Sequence, residues 1–591
     1  MSTLRRLRSL LLTTALTLAV CGPAAAAERI MPLAEVQKGM HCTGLSVVQG
    51  TDIASFDIEI LDVIAGDEAA DSPRILFRVS GEAVDRTGIG PGFSGSPIVC
   101  RDGSGNDAYA GAISEGLGEY GGKVGLATPM EDVVAQPVEP PVGMPPAPRA
   151  GTYDLSAPLS VGGVTPRVGR FLSRLAARKG RLLVTSPGRP RAAAFPVQQL
   201  RPGSAMAAGL SSGALSVGAV GTVAYVDGDK VWAFGHPFDA AGRRSLFLQD
   251  AYVFTVVNNP VGVEGVSTYK LAVPGHDVGV LSADGFAAVA GRLGVMPKRF
   301  PMRVIATDGD TGNVRTLRVD VADENFLGQP TGVSALALVG TATTSQAAAT
   351  AMGEIPARQS GEMCAWFSLV GQRKRLRFCN RYVMRDGGLS GAAELGAGGP
   401  MVADLAEAIS LIDGYDFATL DMESVEVNLT LRRGLLQAYM LGVEGPRVVR
   451  RGRTVRLRVP IQTVRGARSS RTVRVKVPRA MPRGERVLTL SGPDTDEAGV
   501  LEIDLAEVLF GEEEADIGGP RTVDKLRKAV ARIGRYDGIE ASFEPPDGSD
   551  DLGDLEEDLG GAEGIARRAR KVYRDPELRL SGTVRLRVTV R

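Results

Sequence analysis

From residue 32 onward, short runs of alternating apolar and polar residues are punctuated by glycine, aspartate and proline. That punctuation favours strands and tight turns over long helices. Phe56-Asp57-Ile58-Glu59-Ile60-Leu61, Ile75-Leu76-Phe77-Arg78-Val79 and Pro97-Ile98-Val99-Cys100 read this way near the start. Arg453-Thr454-Val455-Arg456-Leu457-Arg458-Val459 and Arg471-Thr472-Val473-Arg474-Val475-Lys476-Val477 repeat the pattern near the end. With 74 glycines and only 5% aromatic residues, the composition supports a mainly β chain.

At 591 residues the chain exceeds what one core organises, so several domains are expected. Residues 1–27 read as a secretory signal: Arg5, Arg6 and Arg8, a short apolar run from Leu10 to Val20, then small residues before Glu28. The expected location is secreted or within the cell envelope, and no later stretch is long and apolar enough to span a bilayer. Residues 28–136 read as a small β-barrel or sandwich closed by a short helix, the barrel being the choice that suits the serine motif, and 137–150 as a Pro-rich linker. A second β-rich region covers 151–300, and an α+β region with a helix over 401–412 covers 301–440. Residues 441–591 read as an immunoglobulin-like β-sandwich whose cationic face is its solvated side. A helix is expected over 522–535, and 547–558 reads as an acidic, disordered insert.

Lys+Arg and Asp+Glu both total 68, which leaves no global basic field and argues against nucleic acid as a partner. Beyond the signal four cysteines remain, and an exported chain would pair them. Cys364 and Cys379 flank a short basic segment and are expected to bridge locally, leaving Cys42 for Cys100. No CxxC pair or histidine cluster suggests a metal, and no glycine-rich phosphate loop suggests an organic cofactor.

Chemistry concentrates at two places. In Gly90-Pro91-Gly92-Phe93-Ser94-Gly95-Ser96-Pro97-Ile98-Val99 a serine stands on a glycine-permitted turn, where backbone N–H groups can converge beside a nucleophile. A serine nucleophile needs a base, and the chain has three histidines, at 41, 236 and 276. His236 follows a strand, an Asp227-Gly228 turn and a second strand, and sits between Gly235 and Pro237. Read from residue types alone, a tight turn at Ser94 and a hairpin end at His236 are the commoner roles for such residues, and catalysis is the rarer one.

Gly92-Phe93-Ser94-Gly95-Ser96-Pro97-Ile98 resembles the serine signature of the SpoIVB-type serine peptidases. The stretch from Gly221-Thr222 to Gly235-His236 is similar to that family's histidine segment. The resemblance covers about a third of the chain, roughly residues 32–135 and 202–296, with the two halves in reversed order. It implies a chymotrypsin-like double β-barrel, Ser94 as nucleophile, His236 as general base, and the backbone N–H groups of Gly92 and Ser94 as oxyanion hole. The substrate would be a protein or peptide. The family's acidic register falls near Ser80, where no carboxylate stands, so Asp85, Asp239 and Asp284 are the candidate partners of the histidine. The rival expectation is a non-catalytic envelope protein that uses the same barrel for binding or scaffolding.

Overall fold

The computed structural model describes residues 28–66, 73–117, 121–140, 158–186, 188, 195–259, 268–327, 333–353, 356, 358–385, 398–492, 505–510, 519–533, 538–546 and 569–591. The expected signal segment, most of the Pro-rich linker and the acidic insert lie outside the described residues.

The expected barrel is present. Strands His41–Gln49 (β1), Asp52–Ile64 (β2), Arg74–Ser80 (β3), Pro97–Arg101 (β4), Asp107–Gly116 (β5) and Val124–Pro129 (β6) close in the order β1-β2-β3-β6-β5-β4. Alternation drives this closure: Phe56, Ile58 and Ile60 of β2 and Ile75, Phe77 and Val79 of β3 all point into one core. The helix Met130–Ala135 (α1) buries Met130 and Val133 beside the barrel. Cys42 and Cys100 form a disulfide across the closing seam, next to the Thr43–Val99 pair of β1 and β4.

A large sheet carries the remaining catalytic candidates. Its strands are Leu159–Gly162 (β7), Leu183–Thr185 (β8), Ala205–Gly213 (β9), Ser216–Asp227 (β10), Lys230–Ala233 (β11), Gly242–Val257 (β12) and Tyr269–Asp284 (β13). They continue with Val289–Leu293 (β14), Arg299–Asp308 (β15), Val314–Ala322 (β16), Arg358–Leu369 (β17), Leu376–Arg385 (β18) and Met422–Arg433 (β19). The order is β18-β17-β19-β15-β16-β9-β12-β13-β14-β11-β10-β7-β8. Strands from either side of residue 300 hydrogen-bond within it, since Val319 of β16 pairs with Gly213 of β9. Cys364 and Cys379 lie directly opposite on β17 and β18 and are disulfide-bonded. Helices Ala335–Met352 (α2) and Gly398–Asp413 (α3) join the core of this sheet. So does the helix expected over 522–535, observed as Val523–Arg532, whose Leu526 and Val530 are buried there.

The C-terminal strands form two smaller sheets around their own core. Gln437–Met440 (β20), Thr454–Thr463 (β22), Arg468–Lys476 (β23) and Arg579–Ser581 (β27) make one, in the order β23-β22-β20-β27. Val448–Val449 (β21), Gly484–Ser491 (β24), Ile539–Glu544 (β25), Arg570–Tyr573 (β26) and Thr583–Val590 (β28) make the other. Val455, Leu457, Val473, Val475 and Leu488 fill the space between them. Among the described residues no helix is long and apolar enough to cross a membrane.

Candidate functional site

The barrel and the large sheet meet at the serine loop. Gly92 (φ 96°) and Gly95 (φ 90°) hold backbone conformations that a side chain resists, so the loop folds back sharply on both sides of Ser94. A Cβ at Gly95 would lie 2.0 Å from Thr222 O and 2.5 Å from Phe234 N. Only glycine lets the serine loop approach the strands that lead to the histidine this closely. Thr222 N donates to Ser94 O at 2.8 Å, and Thr222 Oγ1 donates to Gly92 O at 3.0 Å.

His236 enters the same junction. Gly95 N donates to Ile113 O at 2.7 Å, and a Cβ at Gly235 would lie 3.0 Å from that same oxygen. Thr128 Oγ1 of the barrel donates to Gly235 O at 2.6 Å. The segments Ser94-Gly95 and Phe234-Gly235, distant in sequence, therefore pack against each other on the edge of β5. Phe234 (φ 71°) and Ala240 (φ 55°) are non-glycine residues in the left-handed region on either side of His236, local strain that the surrounding contacts must sustain.

The imidazole is oriented by the backbone. His236 Nδ1 lies 2.7 Å from Pro237 O. A carbonyl only accepts, so Nδ1 carries the proton and Nε2 presents its lone pair. Burial holds the ring far below the usual histidine range, at about 4, so it is neutral at pH 7. That is the protonation state and tautomer a general base requires.

Ser94 is 1% exposed. Its Oγ and His236 Nε2 are both buried, and among the described residues neither has a hydrogen-bond partner. The direct Ser94–His236 hydrogen bond is thus not formed. The amides of Phe93 and Ser96 are spent inside the loop, on Gly90 O and Phe93 O. Among the described residues those of Gly92 and Ser94 meet no backbone acceptor.

The three acidic candidates stand elsewhere. Asp85 pairs with Lys123 at 2.7 Å on the barrel surface. Asp239 is ion-paired with Arg181 at 2.7 Å and accepts from Arg244 at 3.2 Å; burial works against its charge, yet the two guanidinium groups hold its carboxyl below the usual range. Asp284 accepts from Phe238 N at 2.7 Å, Asp239 N at 2.8 Å and Ala241 N at 3.2 Å. It therefore ties down the loop after His236, while the ring itself is bonded to Pro237. His276 is also carboxylate-bound, with Nδ1 3.0 Å from Asp250 of β12.

Two groups escape a reading by motif. Arg244, 3% exposed, grips Glu324 through Nε at 2.9 Å and Nη2 at 2.8 Å, and so braces the Asp239 side of the histidine loop. Lys270, 2% exposed, runs beneath the serine loop: its backbone N donates to Pro91 O at 3.0 Å, and its Nζ lies 4.5 Å from the centre of the Phe93 ring. Nζ also donates to Ser46 Oγ at 2.7 Å and Thr222 Oγ1 at 3.2 Å, and Ser96 Oγ donates to Ser46 Oγ at 2.8 Å. Burial drives the amine down to about 7. Parity gave no signal for it: in Tyr269-Lys270-Leu271-Ala272-Val273 the larger apolar residues share the other face, which would turn Lys270 to solvent, whereas the strand is buried on both sides, with Ala272 and Val273 each 1% exposed.

Among the described residues no group of His, Cys, Asp or Glu is arranged to hold a metal ion. No family model, curated protein or solved structure matches this chain.

Proposed function

We propose that the chain is a serine hydrolase acting on protein or peptide substrates, with Ser94 as nucleophile and His236 as general base. The observation that carries this reading is the fixed neutral tautomer of His236, aimed by Pro237 O, in a segment packed against the serine loop. Ser94 Oγ attacks the scissile carbonyl while Nε2 takes its proton; the imidazolium then returns that proton to the leaving amine, and water releases the acyl group by the same exchange. Two unspent amides, of Gly92 and Ser94, suit the developing oxyanion. In this reading the barrel and the adjoining β-rich region act as the two halves of a chymotrypsin-like peptidase. The C-terminal sheets serve as an immunoglobulin-like accessory unit, and the paired cysteines agree with an exported chain.

One observation favours the rival reading of a non-catalytic binding or scaffold protein. Ser94 Oγ and His236 Nε2 are both sealed from solvent, so a substrate must displace part of the junction to reach them. Labelling with a serine-reactive fluorophosphonate separates the two. Wild type should label, Ser94→Ala should not, and His236→Ala should label far more slowly. Equal labelling of all three proteins would exclude the peptidase.

A further inference from the structure

The balanced total charge conceals a strong segregation. Between Gly445 and Gly484 the chain carries twelve arginines and one lysine, and not a single aspartate or glutamate. Most of this stretch is β22, β23 and their connecting turn. Val455, Leu457 and Val459 of β22 and Val473 and Val475 of β23 point into the sandwich core. The alternate positions Arg456, Arg458, Arg474 and Lys476 are exposed on the opposite face.

A solvated sheet face needs charge, but not charge of one sign. Opposite charges across a strand pair stabilise it and like charges weaken it. Here Arg456 stands directly across from Arg474, and Thr454 from Lys476. Among the described residues Arg458 alone of these four has a carboxylate partner, Glu444 at 3.2 Å. The face therefore tolerates a local repulsion that a single acidic substitution would relieve, and arginine outnumbers lysine throughout it. Guanidinium is the planar, two-pronged donor that matches phosphate.

We propose that this face of β22 and β23 is a docking surface for a membrane rich in anionic phospholipid. A sheet presents its cations as a grid, about 4.8 Å between strands and about 6.8 Å along each strand, which suits a planar array of headgroup phosphates. Single-stranded nucleic acid would call for stacking aromatics between the cations, and duplex grooves for an inserted helix or ribbon; β22 and β23 contain no aromatic residue. The surface belongs to the C-terminal unit and is independent of any role for Ser94.

The test is co-sedimentation of the full chain with vesicles of phosphatidylcholine alone and of phosphatidylcholine mixed with phosphatidylglycerol. The mixed vesicles should carry the protein down at low salt and release it at high salt, and the neutral vesicles should not bind it. Arg456→Glu with Arg474→Glu should lower the partition coefficient at least about tenfold. Arg456→Gln with Arg474→Gln, which only removes charge, should lower it less and serves if the reversal disturbs folding. Equal binding to both vesicle types would overturn the proposal, as would unchanged binding by folded double variants. Binding to heparin or DNA without binding to the anionic vesicles would overturn it too, reassigning the face to a soluble polyanion.

Discussion

His236 Nδ1 and the carbonyl oxygen of Pro237, its neighbour in the chain, are 2.7 Å apart, so the residue that aims the imidazole is the one that follows it. A carboxylate in that place would stabilise the imidazolium as well as fix the ring. A carbonyl fixes the tautomer but offers only a partial charge. In the proposed hydrolase the serine and histidine would work with a backbone orienter, a weaker base arrangement than a full triad.

The consequence for pH is direct. With its ring held at about 4, His236 is neutral throughout the range above that value. The fluorophosphonate labelling rate should rise through about pH 4 and stay level to neutrality, in place of a rise through the ordinary histidine value of 6.5. Stability follows the same group. Below pH 6.5 the unfolded chain takes up a proton that the folded chain refuses until about 4, so stability falls as pH drops through that window, by about 3 kcal/mol. Denaturant titrations of wild type and His236→Gln at pH 7 and pH 4.5 would measure it; a wild type with no excess loss at pH 4.5 would contradict it.

Of the three candidate carboxylates, Asp239 and Asp284 lie at the histidine loop and Asp85 does not. Asp284→Asn gives up the second acceptor oxygen and turns a donor toward the loop amides, so it should cost about 1–3 kcal/mol and slow labelling of Ser94. Asp85→Asn removes only a surface pair with Lys123 and should leave labelling unchanged and stability within about 0.5 kcal/mol. A loss of labelling in Asp85→Asn would return that residue to the site.

Gly95→Ala tests the junction itself. The new methyl would have to occupy space 2.0 Å from Thr222 O and 2.5 Å from Phe234 N, at a φ of 90°. Both obstacles are backbone, so nothing rotates away. The variant should lose about 3 kcal/mol or more and lose labelling with it. Gly103→Ala, with open space around its Cβ position, is the control and should behave as wild type.

What could be read in advance follows from how local each feature is. The barrel strands and the alternation of β22 and β23 are written in neighbouring residues, and both disulfides fall where strand pairing brings their cysteines together. The contact between the Ser94 and His236 segments joins parts separated by more than a domain's length, and only a shared motif hinted at it. The pairing of β16 with β9 across residue 300 had no such hint, because strand partners leave no trace in each other's sequence. Pro237 O was invisible for a simpler reason: every residue has a carbonyl, so an orienter of that kind has no sequence signature.

Lys270 is the most exposed of these readings to a decisive experiment. A buried ammonium without a carboxylate is costly, and its amine titrates at about 7 against an ordinary 10.5. Between those values the folded chain has already released a proton that the unfolded chain still binds, so wild-type stability should rise with pH from about 7 to 10.5, by on the order of 5 kcal/mol. Lys270→Met keeps the stem that packs beneath Gly92 and removes the charge. Ser46 still receives Ser96, and Thr222 still donates to Gly92 O, so no hydroxyl is stranded. The variant should therefore unfold at a higher denaturant concentration at pH 7, and the two proteins should converge as pH approaches 10. A variant less stable than wild type at pH 7 would mean that the bonds to Ser46 and Thr222 outweigh the burial of charge, and that Lys270 is held in the protonated state as a structural pin for the serine loop.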